Sequence, residues 1–248
     1  MMSTSATRES FAVIADVHGN SWALDSVLAD IDARGIERIV ALGDHVYGPL
    51  DPAAVADRLM SRGVLAVRGN EDRLVIDGLG PSHVGWLESL PLTLEPEPGV
   101  LAFHGTPASD QIYFMWDVGD DSVRRMDDVE VARSVQAIAA DRACCGSVAG
   151  LGLVLCGHDH VPRVIRCDES LVVNPGSVGL QAYSDAVPVP HVMEAGSPHA
   201  RYAVVAKKSG RWVAEPVALE YDWDAAVRCA EAKGNPDWAR WLATGRAG

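Results

Sequence analysis

FAVIADVHGN, residues 11–20, sets an apolar run directly before a carboxylate and an imidazole, then closes on a glycine and an asparagine. Phe11 to Ala15 reads as a short buried strand. Asn20 reads as the N-cap of a helix whose apolar residues Leu24, Val27, Leu28 and Ile31 share one face, with Gly35 as its stop. The unit then recurs. Ile39 to Leu42 is a second strand, Asp51-Pro52 opens a helix that runs through Leu59 to Gly63, and Val64 to Val67 is a third strand. Short strands alternating with helices predict βαβ units and a parallel sheet.

The second half is more antiparallel in pattern. Leu92 to Leu94 and Val100 to Phe103 flank a Pro/Gly turn, the signature of a hairpin. Val131, Val135 and Ile138 mark an amphipathic helix, and strands follow at Leu151 to Cys156, Val164 to Ile165 and Leu171 to Val173. Tyr202 to Ala206 and Trp212 to Leu219 are joined by a Lys207–Gly210 turn. Asn235-Pro236 starts a last helix with Trp238, Trp241 and Leu242 on a face expected to join the core. Two mixed sheets packed face to face, with helices outside, close such a chain. No linker divides it, so residues 1–248 are expected as one domain, with segments 106–126 and 181–200 as surface loops acting as lids and helices over 222–245.

The strand ends carry the chemistry. The first run ends in Asp16-Val17-His18, the second in Gly43-Asp44, the third in Gly69-Asn70-Glu71-Asp72, the fourth in His104-Gly105 and the fifth in Gly157-His158-Asp159-His160. In open α/β sheets the carboxyl ends of the strands line one edge, where ligands bind. Two carboxylates (Asp16, Asp44), one amide (Asn70) and four imidazoles (His18, His104, His158, His160) are therefore expected in one cleft. Gathering so many titratable groups without a cation costs several kcal/mol of desolvation and repulsion. Seven donors exceed the needs of one tetrahedral ion and suit two ions sharing a carboxylate. The nitrogen and oxygen set fits Mn, Fe, Zn, Ni or Co better than Ca or Mg. Two divalent ions, less the charges of Asp16, Asp44 and a bridging hydroxide, leave a centre of about +1 that attracts anions. Ions about 3.5–4 Å apart acidify a bridging water and clamp a phosphoryl group.

Composition narrows the partners. The chain has 248 residues, 48% hydrophobic and 22% charged, and a formal net charge of −13. Such a balance argues against a nucleic-acid polymer or an anionic membrane as the partner, while leaving a small phosphorylated substrate open. No basic segment leads into an apolar signal core, and no apolar run is long enough to span a bilayer. Five cysteines in odd number, with no C-x-x-C pair, read as reduced thiols and predict a cytoplasmic protein. Nucleophile elbows of the G-x-S-x-G type and Walker-A loops are absent from the sequence. Tyr113, Phe114 and Trp116 read mainly as a local apolar cluster, and Arg68 and Arg73 as structural or solvated charges as readily as phosphate clamps.

At these residues the chain resembles the calcineurin-like metallophosphoesterase superfamily, whose blocks D-x-H, G-D, G-N-x-[DE], H and G-H-x-H all occur here in order between Asp16 and His160. The resemblance implies a four-layer α/β/β/α sandwich with two divalent ions. It implies Asp16, His18, Asp44 and His160 at one ion and Asp44, Asn70, His104 and His158 at the other, with Asp44 shared. It further implies hydrolysis of phosphodiester or phosphomonoester bonds of a small molecule, with Asp44 and Asn70 central to catalysis. Asp72 is expected to orient the metal site, and Asn20, Asn70 and His104 to face phosphate oxygens. The stretch Gly43 to Pro49 and the turn Asn174 to Ser177 resemble the small bacterial phosphodiesterase branch, some members of which cleave dinucleoside polyphosphates. A non-catalytic scaffold, a role the retromer subunit of this fold serves, is the reading from another class. Many members carry His after the Asn to protonate the leaving group. Glu71 stands there in this chain, which leaves His45 or a metal-bound water as the expected proton source.

Overall fold

A computed structural model describes residues 10–74, 77–119, 121–144 and 150–248. Labelled in chain order, β1 (Ser10–Ile14), α1 (Ser21–Ala33), β2 (Ile39–Ala41), α2 (Pro52–Arg62) and β3 (Leu65–Ala66) form the repeated strand–helix units. Next come α3 (Pro81–Ser89), β4 (Thr93–Leu94), β5 (Val100–Phe103), β6 (Trp116–Val118), β7 (Val123–Arg125) and α4 (Asp128–Cys144). The chain continues through β8 (Leu153–Leu155), β9 (Arg163–Cys167), β10 (Ser170–Asn174), β11 (Ala182–Asp185) and β12 (His191–Glu194). It ends with β13 (Ala200–Lys208), β14 (Arg211–Leu219), α5 (Trp223–Ala232) and α6 (Pro236–Thr244).

Local chemistry fixes the helix starts. The Asn20 side-chain oxygen accepts from the Ala23 amide at 3.1 Å, and Asp51 does the same for Ala54 at 3.3 Å ahead of Pro52. Each satisfies a donor that the first helical turn would otherwise leave unpaired. α2 stops at Gly63, whose φ of 58° ordinary side chains resist.

One sheet has the order β14-β13-β1-β2-β3 and the other β4-β5-β8-β10-β9. Each contains three parallel strands: β1, β2 and β3 in the first, where antiparallel β13 and β14 extend the β1 side and β3 is the edge, and β5, β8 and β10 in the second, flanked by antiparallel β4 and β9. Side chains alternate across a strand. Phe11, Val13 and Ala15 therefore enter the core between the sheets, where they meet Val100, Ala102, Leu153, Leu155 and Val173. Ala12 and Ile14 point the other way, into a layer with Leu24, Val27, Leu59, Ala226 and Leu242 of α1, α2, α5 and α6. On the far side, Leu101, Phe103, Val154 and Val172 pack against Val131 and Val135 of α4. The result is a helix/sheet/sheet/helix sandwich. Burial on both faces explains why the strands read as unbroken apolar runs.

Three elements differ from expectation. The segment 181–200 is not a plain surface loop: β11 and β12 pair from Ala182↔Glu194 to Asp185↔His191, and β13 begins at Ala200. Pro188 and Pro190 sit in the turn, where a missing amide proton costs the ladder nothing, so they masked the strands beside them. Segment 106–126 likewise contains the hairpin of β6 and β7. α3 lacks clear periodicity and has Leu87 as its only fully buried apolar residue. Among the described residues, no helix is long and apolar enough to cross a membrane.

Candidate metal centre

The C-terminal ends of the parallel strands meet at one edge. Asp16 and His18 follow β1, Asp44 follows β2, Asn70 follows β3, His104 follows β5, and His158 and His160 follow β8. Five of these seven residues, Asp16, His18, Asp44, His158 and His160, have left-handed backbones with φ between 51° and 73°. Non-glycine residues in that region cost of order 1 kcal/mol or more each, and such strain gathers at functional sites. Here it turns each side chain back over the strand end instead of letting the chain run on.

The donor atoms of the expected ligands fall into two groups, and a third group of His18 and Asp44 with Glu71 overlaps both. Ligand-type atoms of Asp16, His18 and His160 lie within 4.8 Å of one another, as do those of Asp44, His104 and His158. Asp44 Oδ2 stands between the groups, 3.4 Å from His104 Nε2 and 4.0 Å from His18 Nε2. The Asn70 side-chain oxygen is 3.0 Å from His104 Nε2, completing the set.

Three rings are fixed in orientation. Carbonyl oxygens only accept, so Nδ1 of His18, His104 and His160 must carry the hydrogen given to Tyr47, Leu42 and Leu180 at 3.1, 2.7 and 2.6 Å. Each Nε2 is thereby turned to the centre. His18 Nε2 and His160 Nε2 are 3.1 Å apart, so in the neutral rings two lone pairs confront each other. A shared cation relieves that arrangement, and the mixture of imidazole, carboxylate and amide oxygen suits a divalent transition metal. The residues present therefore fit the group that the sequence implies.

The electrostatics point the same way. Burial, and then the neighbouring His160, push His18 down to about 4. Burial, and then His104, push His158 down to about 3. His104 moves against its own burial: the Asp44 carboxylate holds its proton up to about 10. Burial, and then Asp44, raise Glu71 to about 9. The metal-free centre thus balances buried carboxylates with retained protons, which a bound cation would replace.

Buried polar side chains brace the loops. Asp72 accepts from the amides of Asp44, His45 and Gly69 at 3.0, 2.8 and 2.8 Å, tying the loop after β2 to the loop after β3. A Cβ on Gly69 would lie 2.1 Å from Asp44 Oδ1, so only glycine lets these two loops close. Ser177 donates to the Asp16 carbonyl at 2.7 Å, and Asn174 donates to Gly157 and Asp159 at 3.1 and 3.0 Å. The Asn174–Ser177 turn is therefore a buried brace beneath the first and fifth loops. Arg68 and Arg73 both turn to Asp110, Arg73 at 2.8 Å.

Two expected site residues lie elsewhere. Asn20 is fully buried: its oxygen caps α1, and its amide donates to the Gly179 carbonyl and the Tyr221 hydroxyl at 2.9 and 3.2 Å. No donor is left for a phosphate, so the expectation of a substrate contact is corrected to a structural one. His45 is also fully buried, with Nε2 on the Val67 carbonyl at 3.0 Å and its ring 5.3 Å from Trp86. It faces the third strand and α3 rather than the cleft, which removes it as a proton source.

Other residues do face the cleft, a cavity of about 310 Å³ whose lining includes His18, Asp44, Asn70, His158 and His160. Glu71 lines it, with Oε2 3.4 Å from His18 Nδ1. So do Tyr47, Tyr113, Tyr183, Trp238 and Trp241. Tyr113 lies 4.5 Å from His158, centroid to centroid, and its hydroxyl meets those of Tyr183 at 2.8 Å and the His191 ring at 2.9 Å. The sequence expectation of a mainly apolar cluster holds for Phe114, which is packed in the core, but not for Tyr113. Helical spacing placed both tryptophans in the core. Trp241 is largely there, whereas Trp238 also stands 5.8 Å from His18 as a wall of the cleft.

A model of the calcineurin-like phosphoesterase superfamily domain matches residues 10–189. An uncharacterized protein of Methanocaldococcus jannaschii is 26% identical over 267 aligned positions, covering 92% of this chain and 94% of that one. The crystal structure of a metallophosphoesterase from Sphaerobacter thermophilus superposes with a TM-score of 0.69 at 22% identity, covering 96% of this chain and 100% of that one. A hypothetical protein of Pyrococcus horikoshii gives 0.70 at 18% identity, over 96% and 99%. At these identities the structural likeness speaks to the fold.

Proposed function

The chain belongs to the calcineurin-like phosphoesterase superfamily, and from that premise we propose that it is a metal-dependent hydrolase cleaving phosphodiester or phosphomonoester bonds of a small molecule. The observation that carries the reading is the pair of facing imidazole nitrogens, His18 Nε2 and His160 Nε2, at the floor of an open cleft. Asp16, His18, Asp44 and His160 would hold one ion, and Asp44, Asn70, His104 and His158 a second. Bound divalent ions supply Lewis-acid polarisation of a phosphoryl group and lower the pKa of a nucleophilic water.

The protein's own part is positioning. Carbonyls of Tyr47, Leu42 and Leu180 keep three imidazoles turned inward, so no reorganisation is needed when ligand arrives. Asp72 holds the shared carboxylate through the Asp44 amide. Tyr113 covers the His158 ring, and the Tyr183 hydroxyl donates to the His158 carbonyl at 3.2 Å, which together fix the outer loop. With His45 sealed away, Glu71 is the ionisable group beside Asn70 that borders the substrate space.

The test is hydrolysis of bis(p-nitrophenyl) phosphate and p-nitrophenyl phosphate by chelator-stripped protein before and after adding Mn²⁺. Turnover is expected only with metal, and Asp44→Ala is expected to lose nearly all of it. Wild-type turnover in Asp44→Ala, or no metal-stimulated cleavage of either ester, would overturn the proposal.

A further inference from the structure

The walls of the cleft say what kind of ester enters it. No lysine or arginine is among the described residues lining the cleft, whereas Glu71 and Asp185 both are. The two arginines flanking Asn70 in sequence do not line the cleft and turn to Asp110, Arg73 at 2.8 Å and Arg68 at 3.5 Å. A polyphosphate chain, with several charges to neutralise outside the metal centre, would find no guanidinium or ammonium in the cleft wall to receive it. A diester carries one negative charge, which the centre itself could take.

What the walls do offer is aromatic surface. Trp238 and Tyr47 line the cleft and also a second recess of about 380 Å³ next to it, so they form the boundary shared by the two spaces. The Trp238 ring is held in place. It lies 5.8 Å from His18 and 6.3 Å from Trp241, and it rests on Gly48, where a Cβ would come within 2.4 Å of its Cη2 atom. Gly48 has a φ of 137°, so a side chain there would be both strained and in collision with the ring. Lys233 lines the second recess rather than the cleft, and one hydrogen of its ammonium goes to the Leu50 carbonyl.

We propose that the cleft selects a phosphodiester bearing a planar ring and one negative charge, with Trp238, supported by Tyr47, as the residue that stacks on the ring and sets specificity. This rests on the phosphoesterase reading and narrows it, disfavouring dinucleoside polyphosphates as substrates. Stacking of a base on an aromatic side chain is sequence-tolerant, so the ring is identified as planar rather than as one base.

Two measurements on the metal-loaded protein test it. In kinetics, bis(p-nitrophenyl) phosphate is expected to exceed both p-nitrophenyl phosphate and diadenosine tetraphosphate in kcat/KM. Trp238→Ala should raise KM for the aryl diester about tenfold, with a smaller change in kcat, and Trp238→Phe should restore most of the loss. In calorimetry, which needs no turnover, adenosine 5′-monophosphate should bind about tenfold more tightly than ribose 5-phosphate, and Trp238→Ala should erase that ratio while melting temperature shows the variant folded. Equal binding of the two ligands by the wild type, a ratio that survives in Trp238→Ala, or a preference for the tetraphosphate would overturn the proposal. Failure to hydrolyse any ester while the binding ratio holds would instead count against the hydrolase reading alone.

Discussion

Nε2 of His18 and Nε2 of His160 face each other at 3.1 Å, although 142 positions of sequence separate them. Each ring gives its Nδ1 hydrogen to a backbone carbonyl, of Tyr47 and of Leu180, so neither can turn away without leaving a buried carbonyl unpaired. The two Nε2 atoms are thus held together by the fold.

The brace beneath the centre should show itself in stability. Asp72→Ala would leave three buried amides, of Asp44, His45 and Gly69, without an acceptor. At about 1 kcal/mol or more for each orphaned donor, the loss is about 3 kcal/mol. For a chain of this size that lowers the melting temperature by roughly 6–12 °C. A calorimetric scan within a degree of wild type would show that Asp72 does not carry these loops.

Gly69 tests the closeness of the two central loops. The methyl of Gly69→Ala would sit 2.1 Å from Asp44 Oδ1 and 2.3 Å from the Asp44 amide, so the carboxylate must move. If Asp44 is shared between two ions, metal affinity should fall at least about tenfold, the scale seen when orienting groups around a metal are lost. Titration calorimetry with Mn²⁺ reads this directly, and wild-type affinity in the variant would deny Asp44 a ligand role.

Metal binding should expel protons. In the metal-free protein the Asp44 carboxylate holds the His104 proton up to about 10, so at pH 7 that ring is charged. A cation at Asp44 and His104 needs the neutral ring and must displace the proton. Affinity should therefore rise with pH between 6 and 9, and calorimetry in two buffers of different ionisation enthalpy should report about one proton released at pH 7. A pH-independent affinity with no proton release would place the metal elsewhere.

Much of this was legible in the sequence because the relevant signals are local. Each donor follows an apolar run, and strands buried on both faces read as such runs, so Asp16, Asp44, His104 and His158 announce themselves as strand ends. His45 misled because adjacency in sequence does not fix direction: the left-handed turn at Asp44, φ 51°, sends the two neighbouring side chains to opposite sides of the loop. Asn20 misled because one residue type serves both caps and ligands. Trp238 read as core because helical spacing shows which face of α6 is apolar and not where that face ends. The cleft begins at its margin, and only the approach of the loop at Gly48 reveals it. The strands β11 and β12 were hidden by the prolines of their own turn.

Anomalous diffraction from crystals of the Mn²⁺-loaded protein tests the metal centre most directly. Two peaks should appear, one among Asp16, His18 and His160 and one among Asp44, Asn70, His104 and His158, with Asp44 reaching both. Peaks confined to other parts of the surface, with these seven side chains left unliganded, would contradict the account at its root.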